Sequence, residues 1–188
     1  MKPIAQSELI LNADGSIYHL NLKPADIATT IITVGDPDRV GEVSKHFDTI
    51  EFKHHKREFK THTGTYKGKR ITVISTGIGT DNVEIALVEA FIEHEFDFES
   101  KTRNIKCNPM TFIRLGTSGG VQSDINPGSH AIGSYALGLD NTGIYFDEPA
   151  EDSTVERIEQ SANKILNEAI PSQSRFKGKL IPYASKAS

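Results

Sequence analysis

One cysteine, Cys107, stands alone in 188 residues. The chain can therefore form no internal disulfide and no thiolate metal cluster, and nothing calls for an oxidising compartment. Basic residues are not in excess either. The 21 Lys and Arg against 25 Asp and Glu leave a formal charge of −4, and no block of cations lies along one face to follow a nucleic-acid backbone. No apolar run approaches the ~18 residues of a membrane span, and residues 1–11 have neither the basic start nor the apolar centre of a secretion signal. The expectation is a cytoplasmic protein with no nucleic-acid and no membrane partner. Internal repeats and low-complexity tracts are missing too. With 37% apolar and 24% charged residues, the chain suits one globular domain over 1–188.

Several signatures of chemistry are also absent. In Gly77-Ile78-Gly79-Thr80-Asp81-Asn82, Asn82 stands where a dinucleotide fingerprint needs its third glycine, and no phosphate-loop motif with Gly-Lys-Ser/Thr occurs. There is no Gly-x-Ser-x-Gly elbow and no Cys–His pair, so covalent nucleophilic catalysis has no support. His54, His55 and His62 have no Cys or acidic partners at metal-ligand spacing. His19 lies in the apolar alternation Ile17-Tyr18-His19-Leu20, where a lone histidine is ordinarily structural.

What is present is a repeated order of strand and glycine turn. Ile31-Ile32-Thr33-Val34 is a β-branched run that stops at Gly35-Asp36-Pro37, and Val40, Val43 and Phe47 follow at helical spacing, with Pro37 suited to the first turn. Over 58–76 two strands flank Tyr66-Lys67-Gly68-Lys69, a hairpin signal, and the second runs into Ser75-Thr76-Gly77-Ile78-Gly79. Asp81 or Asn82 can cap the next helix, whose stripe of Val83, Ala86, Leu87, Ala90 and Phe91 predicts packing on a sheet. Residues 95–107 read as a polar loop. A third strand, 111–115, leads into Gly116-Thr117-Ser118-Gly119-Gly120. Beyond it come a turn at Asn126-Pro127-Gly128, a strand over 129–139, a helix with a capping box at Ser153 and Glu156, and a strand over 179–183.

In open α/β sheets ligands bind at the carboxyl ends of strands, where glycine lets the backbone approach and amides point at an anion. Two of these turns carry an arginine: Arg39 lies four residues after Gly35, and Arg114 two before Gly116. A guanidinium fork matches a phosphate edge, and Thr117 and Ser118 add hydroxyl donors. A single such arginine is ordinarily a surface ion pair, and the glycines alone could be simple turn residues. Two arginines at corresponding strand ends favour an oxyanion site.

Taken in order, Tyr18-His19-Leu20, Gly35-Asp36-Pro37-Asp38-Arg39, Lys56-Arg57-Glu58-Phe59, Ser75-Thr76-Gly77-Ile78-Gly79 and Arg114-Leu115-Gly116-Thr117-Ser118-Gly119-Gly120 resemble the nucleoside phosphorylase family, its uridine phosphorylase branch above all. The likeness covers about residues 16 to 185. It implies an α/β fold with a central mixed, partly barrel-like β-sheet flanked by helices, and a pentosyltransferase that cleaves a nucleoside with inorganic phosphate to free base and ribose 1-phosphate. By motif, Gly35, Arg39, Arg114 and Thr117 would bind phosphate, with Arg39 and Arg114 as the catalytic pair. Arg57 would complete that site from the neighbouring subunit, and His19 would reach across the same interface to the ribose 5′-hydroxyl. Thr117, Ser118 and Gly119 would face the ribose and base. The resemblance thus implies a homodimer with shared active sites and is compatible with a homohexamer. It implies no cofactor beyond the phosphate co-substrate, apart from an interface potassium ion near Glu58; Asn82 stands where the family has a serine that helps bind it, which leaves that site open.

The implied chemistry is physically coherent. As the glycosidic bond breaks, the sugar becomes oxocarbenium-like, and a phosphate dianion beneath C1′ both stabilises and attacks it. No general base is needed. Nucleosidases of the same fold use water and would not need Arg39, Arg57 and Arg114 around an anion, while Gly-Thr-Ser-Gly at 116–119 looks more like uridine than purine phosphorylases. One departure concerns the ending: the family's base-reading Phe and Gln-x-Arg residues and its ribose-holding Glu-Met-Glu segment come later than the part matching 181–188. The expectation is a C-terminal part missing from this sequence, ahead of a second chain supplying it or a truncation that abandoned catalysis. Two alternatives stay open, a phosphorylase of another nucleoside such as a purine, and a non-catalytic phosphate- or nucleoside-binding oligomer.

Overall fold

The computed structural model describes residues 3–104, 107–145 and 152–187. Residues 1–2 of the leader segment, 105–106 of the polar loop and Ser188 lie outside them, as do 146–151 within the span of the family likeness. Contacts group the chain into two units, 1–118 and 119–188.

The first unit is built on a mixed five-stranded sheet. Strands β1 (Thr30–Val34), β2 (Thr49–Lys56), β3 (Phe59–Tyr66), β4 (Lys69–Ser75) and β7 (Thr111–Arg114) run in the order β2-β3-β4-β1-β7. β1 is parallel to both β4 and β7, whereas β2, β3 and β4 form antiparallel hairpins. Helix α1 (Pro37–Ser44) follows β1, and α2 (Thr80–Glu95) follows β4. Strands β5 (Phe96–Asp97) and β6 (Thr102–Arg103) make a short hairpin within the predicted polar loop.

The two faces of the sheet bury separate clusters, as the strand period of two requires. On one, Ile31, Phe59 and Ile74 meet Ala86 and Ala90 of α2 together with Leu20, Leu22 and Ile27 of the N-terminal segment. On the other, Val34 and Val73 meet Val40 of α1. Each fully buried Ile, Leu, Val or Phe side chain among them contributes about 1.5–3 kcal/mol. The hairpin turn forms where glycine predicts it, with Lys67 and Gly68 both at positive φ (50° and 76°).

The second unit pairs β8 (Tyr135–Gly138) with β9 (Tyr183–Lys186), antiparallel, alongside α3 (Ser153–Ala169). Among the described residues no helix is long and apolar enough to cross a membrane.

Several local expectations need correction. α1 ends at Ser44, before Phe47. α2 is capped by neither Asp81 nor Asn82: its N-cap is Gly79 at φ 106°, and the Asn82 amide instead donates to the Ile78 carbonyl at 3.1 Å. Of its predicted stripe, Ala86 and Ala90 are buried, but Phe91 is 41% exposed and Glu89 and Glu93 take the inner face. α3 is capped by Asp152, whose carboxylate accepts from Thr154 and Val155 amides at 2.8 and 3.0 Å, so Ser153 is the first helical residue and not the cap. The last strand begins at Tyr183, because Pro182 has no N–H for a ladder. Only 135–138 of the predicted 129–139 strand finds a partner.

Candidate functional site

The parallel strands β4, β1 and β7 deliver their carboxyl ends to one edge of the first unit. Beyond the ladder, the Thr76 amide donates to the Val34 carbonyl at 2.8 Å and the Leu115 amide to the Thr33 carbonyl at 2.9 Å. The three glycine turns therefore start side by side. At the end of β1, a Cβ on Gly35 would lie 3.2 Å from Nη2 of Arg114 and 3.7 Å from the Gly77 carbonyl. A side chain at Gly35 would crowd the Arg114 guanidinium, which would have to shift by a few tenths of an ångström. Asp36 caps α1 by accepting from the Asp38 amide at 2.9 Å, and Pro37 begins the helix. One turn in, Arg39 extends Nη2 to within 3.5 Å of Thr117 Oγ1. Arg114 donates from Nη1 to the carbonyl of Leu115 at 2.5 Å.

Gly35, Arg39, Arg114 and Thr117 are thus gathered by the pairing of β1 with β7, and both arginines are solvent-exposed. Among the described residues, no carboxylate lies within ion-pairing distance of Arg39, Arg57 or Arg114, whereas Arg70 pairs with Glu51 at 2.7 Å and Arg103 with Glu95. The guanidiniums of Arg39 and Arg114 are each free of a carboxylate partner among the described residues, and a guanidinium fork is the kind of group that engages an oxyanion in bidentate fashion. Ser118 follows Thr117 and is exposed; Gly119 opens the second unit, where a Cβ would meet nothing within 4 Å.

Arg57 sits elsewhere, in the tight turn between β2 and β3, at φ 56°. It shares no hydrogen bond with Arg39 or Arg114 among the described residues. Its neighbour Glu58 lays its side-chain stem against Gly77, where an added Cβ would lie 2.9 Å from Cγ and 3.1 Å from Nδ2 of Asn82. The Asn82 amide nitrogen lies on this side of the turn, donating to the Ile78 carbonyl.

His19 occupies a different place, on a turn over 17–22 that runs beside α2. Its Nδ1 lies 2.6 Å from Glu89 Oε1, and its ring keeps 31% of its surface open. The sequence reading missed Glu89; the signal was a carboxylate at the helical spacing of the buried stripe, one position from Ala90. Two further histidines, His62 and His54, pack within the framework. His62 is buried with Nδ1 2.7 Å from Ser44 Oγ, and burial, then Lys53 and Lys60, holds its pKa below the usual range. His54 stacks on Phe52. No cluster of metal-ligating side chains occurs among the described residues.

Comparison with known proteins places the chain in a family. The family model described as the phosphorylase superfamily matches residues 29–179. Uridine phosphorylases of Thermococcus kodakarensis and Treponema pallidum are each 36% identical to the chain, over 129 and 125 residues, or 69% and 66% of it. Those matches cover 42% and 43% of the relatives, so the chain spans less than half of their length. A crystal structure of a Trypanosoma brucei nucleoside phosphorylase, described as showing uridine phosphorylase activity, superposes with a TM-score of 0.77 at 35% identity, over 95% of this chain and 57% of that one. By its family match, its relatives and the order of its glycine turns, the chain belongs to the phosphorylase superfamily.

Proposed function

We propose that the protein cleaves the N-glycosidic bond of a nucleoside, uridine above all, by phosphorolysis. The observation that carries this reading is the pair of carboxylate-free guanidiniums, Arg39 and Arg114, at the glycine-turn ends of the parallel strand β1 and its neighbour β7. The site they form holds the phosphate.

In the reaction, a phosphate oxygen donates its electron pair to C1′ while the bond from C1′ to the base nitrogen breaks. The bonding pair leaves with the base, which then takes up a proton. The products are free base and ribose 1-phosphate. Because phosphate is already anionic near neutral pH, Arg39, Arg114 and Thr117 need only hold it below the sugar face, and its charge stabilises the oxocarbenium-like transition state. The active unit in this reading is a homodimer: Arg57 reaches a partner's phosphate, and His19 a partner's ribose 5′-hydroxyl. Thr117, Ser118 and Gly119 line the ribose and base side. The uridine phosphorylase names of the 36%-identical relatives support uridine as the nucleoside.

The test is uridine cleavage followed by ultraviolet absorbance with and without inorganic phosphate. Phosphate-dependent appearance of uracil and ribose 1-phosphate supports the reading. Cleavage that ignores phosphate would make the protein a hydrolase, and phosphate binding without turnover would make it a binding oligomer.

A further inference from the structure

The turn carrying His19 is held in place far more firmly than an exposed loop requires. Within it, the Ile17 amide donates to the Leu22 carbonyl at 2.8 Å and the Asn21 amide to the Ile17 carbonyl at 3.0 Å, with Asn21 at φ 56°. From outside, Asn12 Nδ2 donates to the Ile17 carbonyl at 2.8 Å, and Lys56 Nζ to the Tyr18 carbonyl at 2.7 Å. The tightest hold comes from Glu89. Both its oxygens lie 3.0 Å from the His19 amide nitrogen, Oε2 also accepts from the Leu20 amide at 2.8 Å, and Oε1 lies 2.6 Å from His19 Nδ1. Glu89 is only 8% exposed, so these contacts are poorly shared with water.

The pattern points to one tautomer. A carboxylate accepting backbone N–H bonds on both oxygens is an acceptor towards its remaining neighbour, so Nδ1 of His19 carries the hydrogen. In the neutral ring, Nε2 is then a lone pair. The ring is set edge-on to Tyr18, with centroids 4.8 Å apart and planes at 82°, and lines an open cleft of about 230 Å³ with Tyr18, Val88 and Ile92. That lone pair accepts a hydrogen bond from a hydroxyl.

We propose that Glu89 is the positioning residue of His19, fixing the ring's tautomer and angle so that Nε2 accepts from the 5′-hydroxyl of a nucleoside. The ligand assignment rests on the proposed function; the tautomer does not. Glu89 touches no substrate and acts only through the imidazole.

The experiment has one arm without a variant and one with two. Ring ¹⁵N shifts of His19 in the unaltered protein should report Nδ1–H with unprotonated Nε2 at pH 8. The opposite tautomer would overturn the proposal. Glu89→Gln keeps an oxygen for the backbone amides but turns an N–H₂ towards Nδ1, so the tautomer should invert while the turn persists. Its kcat/KM should fall on the order of tenfold with uridine, the loss of one hydrogen bond, and stay unchanged with 5′-deoxyuridine. His19→Ala should show the same selective loss. If His19→Ala affects both substrates alike, the placement of His19 at the ribose fails and the ligand assignment falls with it. If His19→Ala is selective but Glu89→Gln alters neither tautomer nor substrate ratio, positioning by Glu89 is refuted.

Discussion

Truncating Arg114 removes the guanidinium that Gly35 makes room for and leaves Arg39 to face the anion alone. Arg114→Ala should lower kcat/KM for phosphate by roughly 10²-fold, by the scale of single oxyanion-donor deletions, with little change in melting temperature because the side chain is exposed and its hydrogen bond goes only to the carbonyl of the next residue. Steady-state kinetics at varied phosphate check it; unchanged phosphate dependence would count against the site. Glu93 belongs to the same scale but to stability. It is 1% exposed, neither carboxylate oxygen has a hydrogen-bond partner, and burial, reinforced by Asp26 and Glu89, pushes its pKa up to about 9. In the unfolded chain the group ionises near 4.5. Between those values the folded state keeps a proton that the unfolded state has released, so the stability present below the lower value is lost as pH rises towards the upper one, at most about 1.4 kcal/mol per pH unit. Glu93→Gln removes this dependence. The variant should melt higher than the parent at pH 8 and close to it at pH 4.5; equal slopes of melting temperature against pH would contradict the assignment.

At the scale of elements, close backbone approach matters more than propensity. A Cβ on Gly64 would stand 2.0 Å from the Thr49 carbonyl oxygen and 2.9 Å from the Phe47 ring, next to the irregularity in the β2–β3 ladder between Ile50 and Phe52. Gly64→Ala must move a strand, at a cost of about 1–3 kcal/mol, read as a lower urea midpoint. In the second unit, Asp152→Ala removes the acceptor for two amides of α3 and should cost about 1 kcal/mol. Helix starts also show how legibility varies. Asp36 and Pro37 announce α1 by local chemistry, and the turn at Lys67 and Gly68 does the same for its hairpin. α2 begins on a glycine with no capping side chain, and its inner face holds Glu89 and Glu93, so an apolar stripe misplaces its orientation. The polar partners that make Glu89 acceptable inside, the His19 and Leu20 amides, lie about seventy residues away in the chain.

For the whole molecule, an anion site built from unpaired arginines links binding to folding. Phosphate at 100 times its dissociation constant should stabilise the protein by about 2.7 kcal/mol, seen as a rise in melting temperature over a phosphate-free buffer of equal ionic strength, and Arg39→Ala should abolish most of that rise. The sequence by itself determined the class of fold, the order of strand, glycine turn and helix, and the family motifs, because these are written in neighbouring residues: β-branched runs, glycines at turns and an arginine close to two of those turns. Only the tertiary structure decided which strands lie side by side, and hence that Gly35, Arg39, Arg114 and Thr117 share one edge while Arg57 lies in a separate turn. It alone showed the hold of Glu89 on His19 and the unpartnered Glu93. The physical reason is range: turn and strand preferences act within a few residues, whereas hydrogen bonding and desolvation act between groups that only folding brings together.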